Sequence, residues 1–171
     1  FGEEVGEKGM DEEGFSGRDG RTTIFDWWSV ASIRRLRKLI ASGKYRTSSV
    51  SELVENGLMK EEAELFLRFT EAVRFAAEDC SIRQGTTYDL CYCNMSSDGF
   101  DKNRHFVFLR DYEEHTLLIA ANFSNREAVM KLVIPEHAFE WMGIPKTEAL
   151  HPGKVIEVKV QPMDGAIVTL I

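Results

Sequence analysis

The four histidines and three cysteines are the side chains best suited to metal binding or nucleophilic catalysis, but neither set has the spacing of such a site. The histidines are scattered among predicted strand ends and loops, with no nucleophile motif nearby; they are His105, His115, His137 and His151. Cys91 and Cys93 lie two residues apart on a predicted strand, so their side chains would share one face. We interpret them as buried free thiols because no further ligand stands at zinc spacing. With Cys80 they form an odd set that indicates no disulfide framework. The sequence therefore predicts no metal site and no cofactor, and surface or hydrogen-bonded roles for the histidines.

Aromatic residues of the second half of the chain form another group that could bind a ligand. Trp141 is the most prominent, and Phe139, Tyr88 and Tyr92 belong to the same predicted region. An exposed aromatic ring in a loop would suit a sugar-binding platform. More often such a ring packs into the core at one end of a β-sandwich. We favour the core role and keep the platform as the alternative.

Composition restricts the classes of partner. The chain has 171 residues, of which 43% are hydrophobic, enough for one sizeable core or for one core with an appendage. Its formal net charge of −7 argues against a nucleic-acid or anionic-membrane surface, which would need a cationic footprint. No apolar run approaches the roughly 20 residues of a membrane span. The chain opens at Phe1 rather than at methionine, so we expect a fragment or a processed form.

The spacing of apolar residues in the first half of the chain predicts helices. Apolar residues recur at helical spacing over 27–41, with Gly43 as a plausible stop and Asp26 or Ser29 as a possible cap. A short helix through Val54 is expected to begin at Ser48, Ser49 or Ser51 and to end at Asn56 and Gly57. The strongest pattern covers 59–79, where leucine, phenylalanine, alanine and valine side chains line one face and charged residues the other. The glycine-rich, acidic segment 1–20 cannot fold by itself and must lie against something else.

The second half predicts antiparallel strands. The most apolar stretch of the chain, 104–124, contains two runs flanking the polar turn at 111–114, the pattern of a β-hairpin. Residues 116–121 show no clean alternation, which predicts a central strand covered on both faces. Further strands are expected over 86–93, 127–134, 154–160 and 166–171, with a loop or helical turn at 136–143. The predicted fold is α+β, with an N-terminal helical segment over 1–84 and an antiparallel Greek-key β-sandwich over 85–171.

Several segments, taken in order, resemble the C-terminal part of the α-amylase superfamily, glycoside hydrolase family 13. They are GEEVG at 2–6, GFSGRDGRTTIFDWWS at 14–29, IRQGTTYDL at 82–90, FVFLRD at 106–111 and LLIAANFS at 117–124. The resemblance spans essentially the whole chain, and it depends on the order of these segments rather than on any single motif. It implies that 1–84 resembles the end of a catalytic (β/α)8 barrel and that 85–171 resembles the all-β domain that follows such a barrel.

The resemblance also implies that the catalytic carboxylates precede this segment. Retaining glycoside hydrolysis needs two carboxylates about 5–5.5 Å apart on rigid elements, one of them with a raised pKa. The acidic residues near the start of this chain lie in glycine-rich sequence with nothing apolar around them; they are Glu3, Glu4, Asp11, Glu12 and Glu13. We therefore expect the chain itself to be non-catalytic, although the parent protein would be an α-amylase-like glycosidase or transglycosidase.

In the enzymes that the chain resembles, the loop after the eighth barrel strand approaches the substrate. Tryptophan faces beside arginine and aspartate suit sugar binding; the candidates are Asp19, Arg21, Asp26, Trp27 and Trp28. The alternative is that the tryptophans are core residues at a helix start and that Asp19 and Arg21 form a salt bridge. We favour the alternative because adjacent tryptophans on a helix cannot both face one cleft.

Two hypotheses about function follow. In the first, the chain is the C-terminal portion of an α-amylase-family enzyme acting on α-glucans, and its β domain packs on the missing barrel and stabilises it. In the second, it is an independent carbohydrate-binding module that recruits α-glucan through exposed aromatic side chains. The first predicts a broad exposed apolar face on the helices over 27–41 and 59–79, with self-association through that face.

Overall fold

The computed structural model describes residues 2–6 and 31–171. The chain divides into two compact units, Phe1–Phe75 and Ala76–Ile171, which we call the helical unit and the β unit. The boundary between the units follows Phe75, within the longest helix, whereas the boundary predicted from the sequence follows residue 84. No described helix combines the length and the apolar character that a bilayer crossing requires.

The helical unit contains α1 (Ala31–Ser42), α2 (Val50–Glu55) and most of α3 (Lys60–Glu78). The three predicted helices are present, but the predicted start of the first at residue 27 and its cap at Asp26 or Ser29 lie outside the described residues. Gly43 ends α1 in the left-handed conformation, and its N–H donates to the Ile40 carbonyl. Ser49 caps α2 by accepting the Glu52 N–H. The buried cluster of this unit joins all three helices through Leu39, Leu53, Leu58 and Ala63.

The β unit begins with the end of α3 and the short helix α4 (Cys80–Gln84). Its strands are β1 (Thr86–Asp89), β2 (His105–Tyr112), β3 (His115–Asn122), β4 (Ala128–Val133), β5 (Val155–Val160) and β6 (Asp164–Thr169), and α5 (Glu136–Met142) lies between β4 and β5. One antiparallel sheet has the order β1-β2-β3-β6, and a second sheet pairs β4 with β5. The mixture of helices and antiparallel sheets confirms the α+β class.

The hairpin between β2 and β3 organises the larger sheet, as the sequence predicted. Its register pairs Tyr112 with His115, so Glu113 and Glu114 form a two-residue turn. Both turn residues have positive φ, which is the geometry that matches the twist of the strands. β3 lies between β2 and β6, and most of its side chains are buried. The central position of this strand is therefore confirmed. The expectation that both its faces are covered holds only in part, because Ile119 on the outer face is half-buried.

The core of the β unit takes side chains from both sheets, from the loop after β1 and from α5. Its fully buried members include Leu109, Leu118, Met130 and Leu132, with Phe139 contributed by α5. The loop packs so closely on β4 that a Cβ at Gly99 would lie 1.8 Å from the Val129 carbonyl oxygen. Gly99 also has φ of 76°, so both the space and the backbone conformation require glycine there.

The predicted strand over 86–93 is wrong in its second half. β1 ends at Asp89, whose side chain accepts the Cys91 N–H at 2.8 Å and starts a turn. Cys91 and Cys93 therefore lie in a turn and do not share the face of a strand. Both thiols are free and half-buried, and burial raises the pKa of each.

The helix α4 was not predicted, and it ties the chain before β1 onto the larger sheet. Asp79 caps it by accepting the Ile82 N–H at 3.0 Å, and the other Asp79 oxygen lies 3.0 Å from the His115 ring. Arg110 of β2 donates to the Ser81 carbonyl at 2.8 Å. Residues 79–84 thus belong structurally with the β unit rather than with the helices before them.

Candidate functional site

Three aromatic side chains and a histidine meet beside the edge strand of the four-stranded sheet. Tyr88 comes from β1, Tyr92 from the turn that follows it, and His137 and Trp141 from successive turns of α5. The Tyr88 ring centroid lies 5.8 Å from that of Trp141 and 6.2 Å from that of Tyr92. We call this arrangement the aromatic cleft.

The Tyr88 hydroxyl is the centre of the cleft's hydrogen bonds. It is within hydrogen-bond distance of the Tyr92 hydroxyl and lies 3.1 Å from His137 Nδ1. Burial, together with the bond to Tyr92, raises the pKa of Tyr88 well above its ordinary value. This hydroxyl therefore stays protonated and holds the two neighbouring side chains in fixed positions.

The members of the cleft differ sharply in exposure. Tyr88 is 8% exposed, whereas Tyr92 is 51% and Trp141 55% exposed. On α5, Phe139 points into the core at 2% exposure, and Trp141, two residues later, lies on the other side of the helix. The predicted core role is therefore confirmed for Phe139 and Tyr88 and is wrong for Tyr92 and Trp141.

Polar groups complete the rim of the cleft. Thr87 and Asp89 of β1 line the same cavity as the aromatic residues, and its volume is about 390 Å³. The bond from the Cys91 N–H fixes the Asp89 carboxylate at this rim. No lysine or arginine is among the lining residues of this described cavity. Apolar ring faces with a few oriented hydrogen-bonding groups are the usual lining of a small-molecule binding site.

A wider cavity of about 520 Å³ lies elsewhere in the β unit and is a weaker candidate. Its lining includes Asp101, Arg104, His105 and Arg126. Arg104 pairs with Asp101 at 3.8 Å, and the Asp101 N–H donates to the His105 ring at 3.0 Å. The described lining has no aromatic ring besides that of His105, so this cavity offers a ligand charged groups but little apolar ring surface.

An apolar stripe runs along the exposed side of α3. Leu65, Phe69 and Val73 stand at i, i+4 and i+8, which places them on one face of the helix. Their side chains are 37%, 42% and 54% exposed. We call these three residues the helix stripe. The exposed apolar face expected on both long helices is therefore present on α3, but not on the described part of the first helix. Three apolar side chains of that helix are buried; they are Ile33, Leu36 and Leu39.

The outer side of the four-stranded sheet carries a second apolar surface. The strand register aligns Phe108, Ile119 and Ile167 across β2, β3 and β6, and Phe106 lies next to them on β2. The Phe106 and Phe108 ring centroids are 5.4 Å apart. Phe106 and Ile167 are nearly half exposed. We call these four residues the sheet face.

The remaining candidates from the sequence contribute less. Each histidine makes a hydrogen bond: His105 and His137 as described, His115 with Asp79, and His151 with the Pro152 carbonyl. Among residues 2–6 and 31–171, no three His, Cys, Asp or Glu side chains converge as a metal ion would require. The proposed sugar-contacting residues Asp19, Arg21, Asp26, Trp27 and Trp28 lie outside the described residues.

The sequence matches no protein-family model and no curated protein.

Proposed function

We propose that this chain is the C-terminal portion of an α-amylase-family glycoside hydrolase that acts on α-glucans. In this proposal the helical unit is the end of the catalytic barrel, and the β unit is the Greek-key sandwich domain that packs on the barrel and stabilises it. The catalytic carboxylates, in this proposal, precede the chain, which is non-catalytic by itself. The order of the family-like segments along the chain supports the assignment.

The helix stripe is the observation that carries this proposal. A helix at the outside of a barrel buries one face on the barrel strands and leaves the other in water. α3 has the pattern of such a helix, yet Leu65, Phe69 and Val73 remain exposed. Contiguous apolar surface of this kind marks a site of protein contact. The barrel would supply that contact.

The sheet face supports the second part of the proposal. A sandwich domain that stands alone exposes polar side chains on the outer sides of its sheets. Here the outer side of the four-stranded sheet presents Phe106, Phe108, Ile119 and Ile167 in one aligned patch. Docking on a catalytic domain would remove this patch from water, and each square ångström so buried is worth roughly 25 cal/mol.

The proposal is tested by restoring the sequence that precedes Phe1 in the natural reading frame. We expect the extended protein to hydrolyse maltooligosaccharides, with release of reducing sugar, and the chain alone to release none. Hydrolysis by the purified chain alone, or an extension that lacks a barrel with acidic residues at its strand ends, would contradict the proposal.

The helix stripe gives a second test on the chain alone. We expect the chain to self-associate with rising concentration in sedimentation velocity, because the helix stripe places three exposed apolar side chains on one face of α3. Phe69→Lys should shift the distribution toward monomer. Glu71→Lys, an exposed change on the opposite side of α3, is the matched control and should leave association unchanged. Equal association of the wild type and Phe69→Lys would remove the support that the stripe gives.

A second candidate is an independent carbohydrate-binding module, and the exposure of Trp141 and Tyr92 favours it. These rings come from α5 and from a turn rather than from a line on a sheet face. The sheet face and the helix stripe also have no role in a module that stands alone. We therefore rank it second to the enzyme-tail proposal.

A further inference from the structure

We propose that the aromatic cleft of the β unit is a surface binding site for a neutral oligosaccharide, with Trp141 and Tyr92 stacking on sugar rings and Asp89 accepting sugar hydroxyls. The choice of an α-linked glucan as the ligand rests on the proposed function. The assignment of a sugar site rests only on the residues of the cleft.

The first argument is that the exposed rings are held rigidly. Tyr88 is almost fully buried, and its hydroxyl fixes both Tyr92 and His137 through hydrogen bonds. Trp141 packs against the same ring at 5.8 Å. Rings that are held in place lose little conformational entropy when a ligand stacks on them. Large aromatic side chains are usually withdrawn from water, so two that are both exposed and fixed indicate a binding role.

The second argument concerns the chemistry of the ligand. The cavity is lined by Thr87, Asp89, two tyrosines, a histidine and a tryptophan, with one carboxylate and no lysine or arginine. The chain also has a net charge of −7. A cation beside the cavity lining is Arg110, which donates to the Thr87 hydroxyl and also to the Ser81 and Ile82 carbonyls. An anionic ligand would therefore meet the like charge of Asp89 and a guanidinium already engaged by the protein. A pyranose ring offers an apolar C–H face to the aromatic rings and hydroxyls to a carboxylate, which forms strong charge-assisted hydrogen bonds.

The third argument concerns size and shape. A volume of about 390 Å³ falls at the small end of the range for ligand sites, which suits one or two sugar rings. A proline-rich peptide would also stack on aromatic rings, but it needs a groove that follows an extended segment. This cavity is flanked by the four-residue strand β1 and by α5. It is a short, open depression on the surface, which fits the face of a sugar ring better than an extended peptide.

The experiment is a titration of the full chain followed by NMR, with the Trp141 indole N–H assigned from Trp141→Phe. The probes are maltohexaose, cellohexaose and a proline-rich decapeptide. We expect maltohexaose to shift the Trp141 and Tyr92 signals with a millimolar or high-micromolar dissociation constant. Trp141→Ala should weaken binding by about tenfold or more, and Trp141→Phe by less, because loss of a central aromatic contact is the largest single change at such a site.

The matched control is Phe123→Ala, since Phe123 is 63% exposed and does not line the cleft. This variant should bind maltohexaose like the wild type. The exposure of Trp141 means that its replacement should leave the unfolding midpoint unchanged, which is checked by thermal unfolding of each variant.

The outcomes separate this inference from the proposed function. Shifts with cellohexaose but not with maltohexaose would support the sugar site and overturn the choice of an α-glucan. Binding of the peptide alone, of no probe, or of maltohexaose equally by wild type and Trp141→Ala would overturn the sugar site. Each of these last results leaves the enzyme-tail proposal to be decided by the activity of the extended protein.

Discussion

The helical unit and the β unit differ in how completely each covers its own apolar surface. Among the described residues, the core of the β unit joins two sheets, a loop and α5. That of the helical unit joins its three helices, and Val5, Ile33 and Leu36 of the same unit are also buried. The longest helix of the helical unit, α3, nevertheless carries the exposed helix stripe along one face.

This difference indicates how each unit would use a partner. Helices gain most of their stability from packing an apolar face rather than from intrinsic propensity. In α3 the side chains of Leu65, Phe69 and Val73 are only partly packed. The β unit encloses its main core, and it exposes apolar residues on the sheet face and in the aromatic cleft. We infer that the β unit folds around its own core and docks through the sheet face, and that other protein covers the helix stripe.

The largest effect is expected when one fully packed core side chain in each unit is shortened to alanine. Phe139→Ala in the β unit should cost about 3–5 kcal/mol of unfolding free energy, and Leu53→Ala in the helical unit about 2–5 kcal/mol. Phe139 is 2% exposed and Leu53 is fully buried. The two residues belong to different clusters, so each change should act within its own unit. Val129→Ala, at a 41% exposed position of β4, is the control and should change little.

Hydrogen exchange followed by mass spectrometry measures the two effects separately. Phe139→Ala should remove protection from peptides of β2 to β5 and spare those of α1 and α2, and Leu53→Ala should do the reverse. If both variants lost protection throughout the chain, the chain would unfold as one cooperative structure. The prediction that the two units unfold separately would then be wrong.

A smaller effect tests what holds the two sheets of the β unit together. The Asn122 amide, at the end of β3, donates to the Arg126, Val160 and Gln161 carbonyls, and its oxygen accepts the Ser124 N–H at 2.9 Å. It therefore links the larger sheet to the ends of β4 and β5. Asn122→Ala would leave these buried groups without partners and should cost about 2–3 kcal/mol.

Urea unfolding of Asn122→Ala and of the control Asn125→Ala provides the measurement. Asn125 is an exposed residue of the same turn, and its replacement should cost less than about 0.5 kcal/mol. Equal urea midpoints for the two variants would mean that the Asn122 side-chain amide does not link the sheets. Apolar packing alone would then hold the two sheets together.

Much of the fold could be predicted because its signals are local. The hairpin follows from two apolar runs separated by a polar pair, and α3 follows from a long helical period. The cap at Ser49 stands directly before the helix that it starts. By contrast, α4 has only five residues, which are too few to show a helical repeat of apolar residues. The hydrogen bonds that hold it come from Arg110 and His115, which lie far along the chain.

The aromatic cleft could be predicted only in part. Tyr88 and His137 are 49 residues apart, and no local pattern brings them together. The exposure of Trp141 did have a signal that was missed. Once 136–143 is treated as a helix, Phe139 and Trp141 differ by two positions and lie on opposite sides, so they cannot share a core role. Treating the segment as a loop removed that constraint.

The smallest effect on stability is expected from a buried carboxylate in the helical unit, whose contribution depends on pH. The Glu62 carboxylate of α3 accepts hydrogen bonds from Arg35 Nε of α1 and from the Met59 N–H, each at 2.9 Å. The bond to Arg35 lowers the pKa of Glu62 below its ordinary value even though burial opposes the shift. Because the folded pKa lies below the unfolded one, the stabilisation is complete above the ordinary carboxyl pKa and is lost as pH falls through the folded value.

Replacing this carboxylate should therefore weaken the helical unit at neutral pH and remove part of its sensitivity to acid. We expect Glu62→Gln to cost about 1–2 kcal/mol at pH 7, since a hydrogen bond to a charged group is lost within a partly buried pair. The neighbouring exposed residue supplies the control, Glu61→Gln, which should behave like the wild type. Hydrogen exchange in α1 and α3, measured at pH 7 and under acid, reports the effect. If the wild type and Glu62→Gln lost equal protection on acidification, the ion pair would not be what joins α1 to α3. The apolar cluster that contains Leu39 and Ala63 would then be the contact that holds these two helices together.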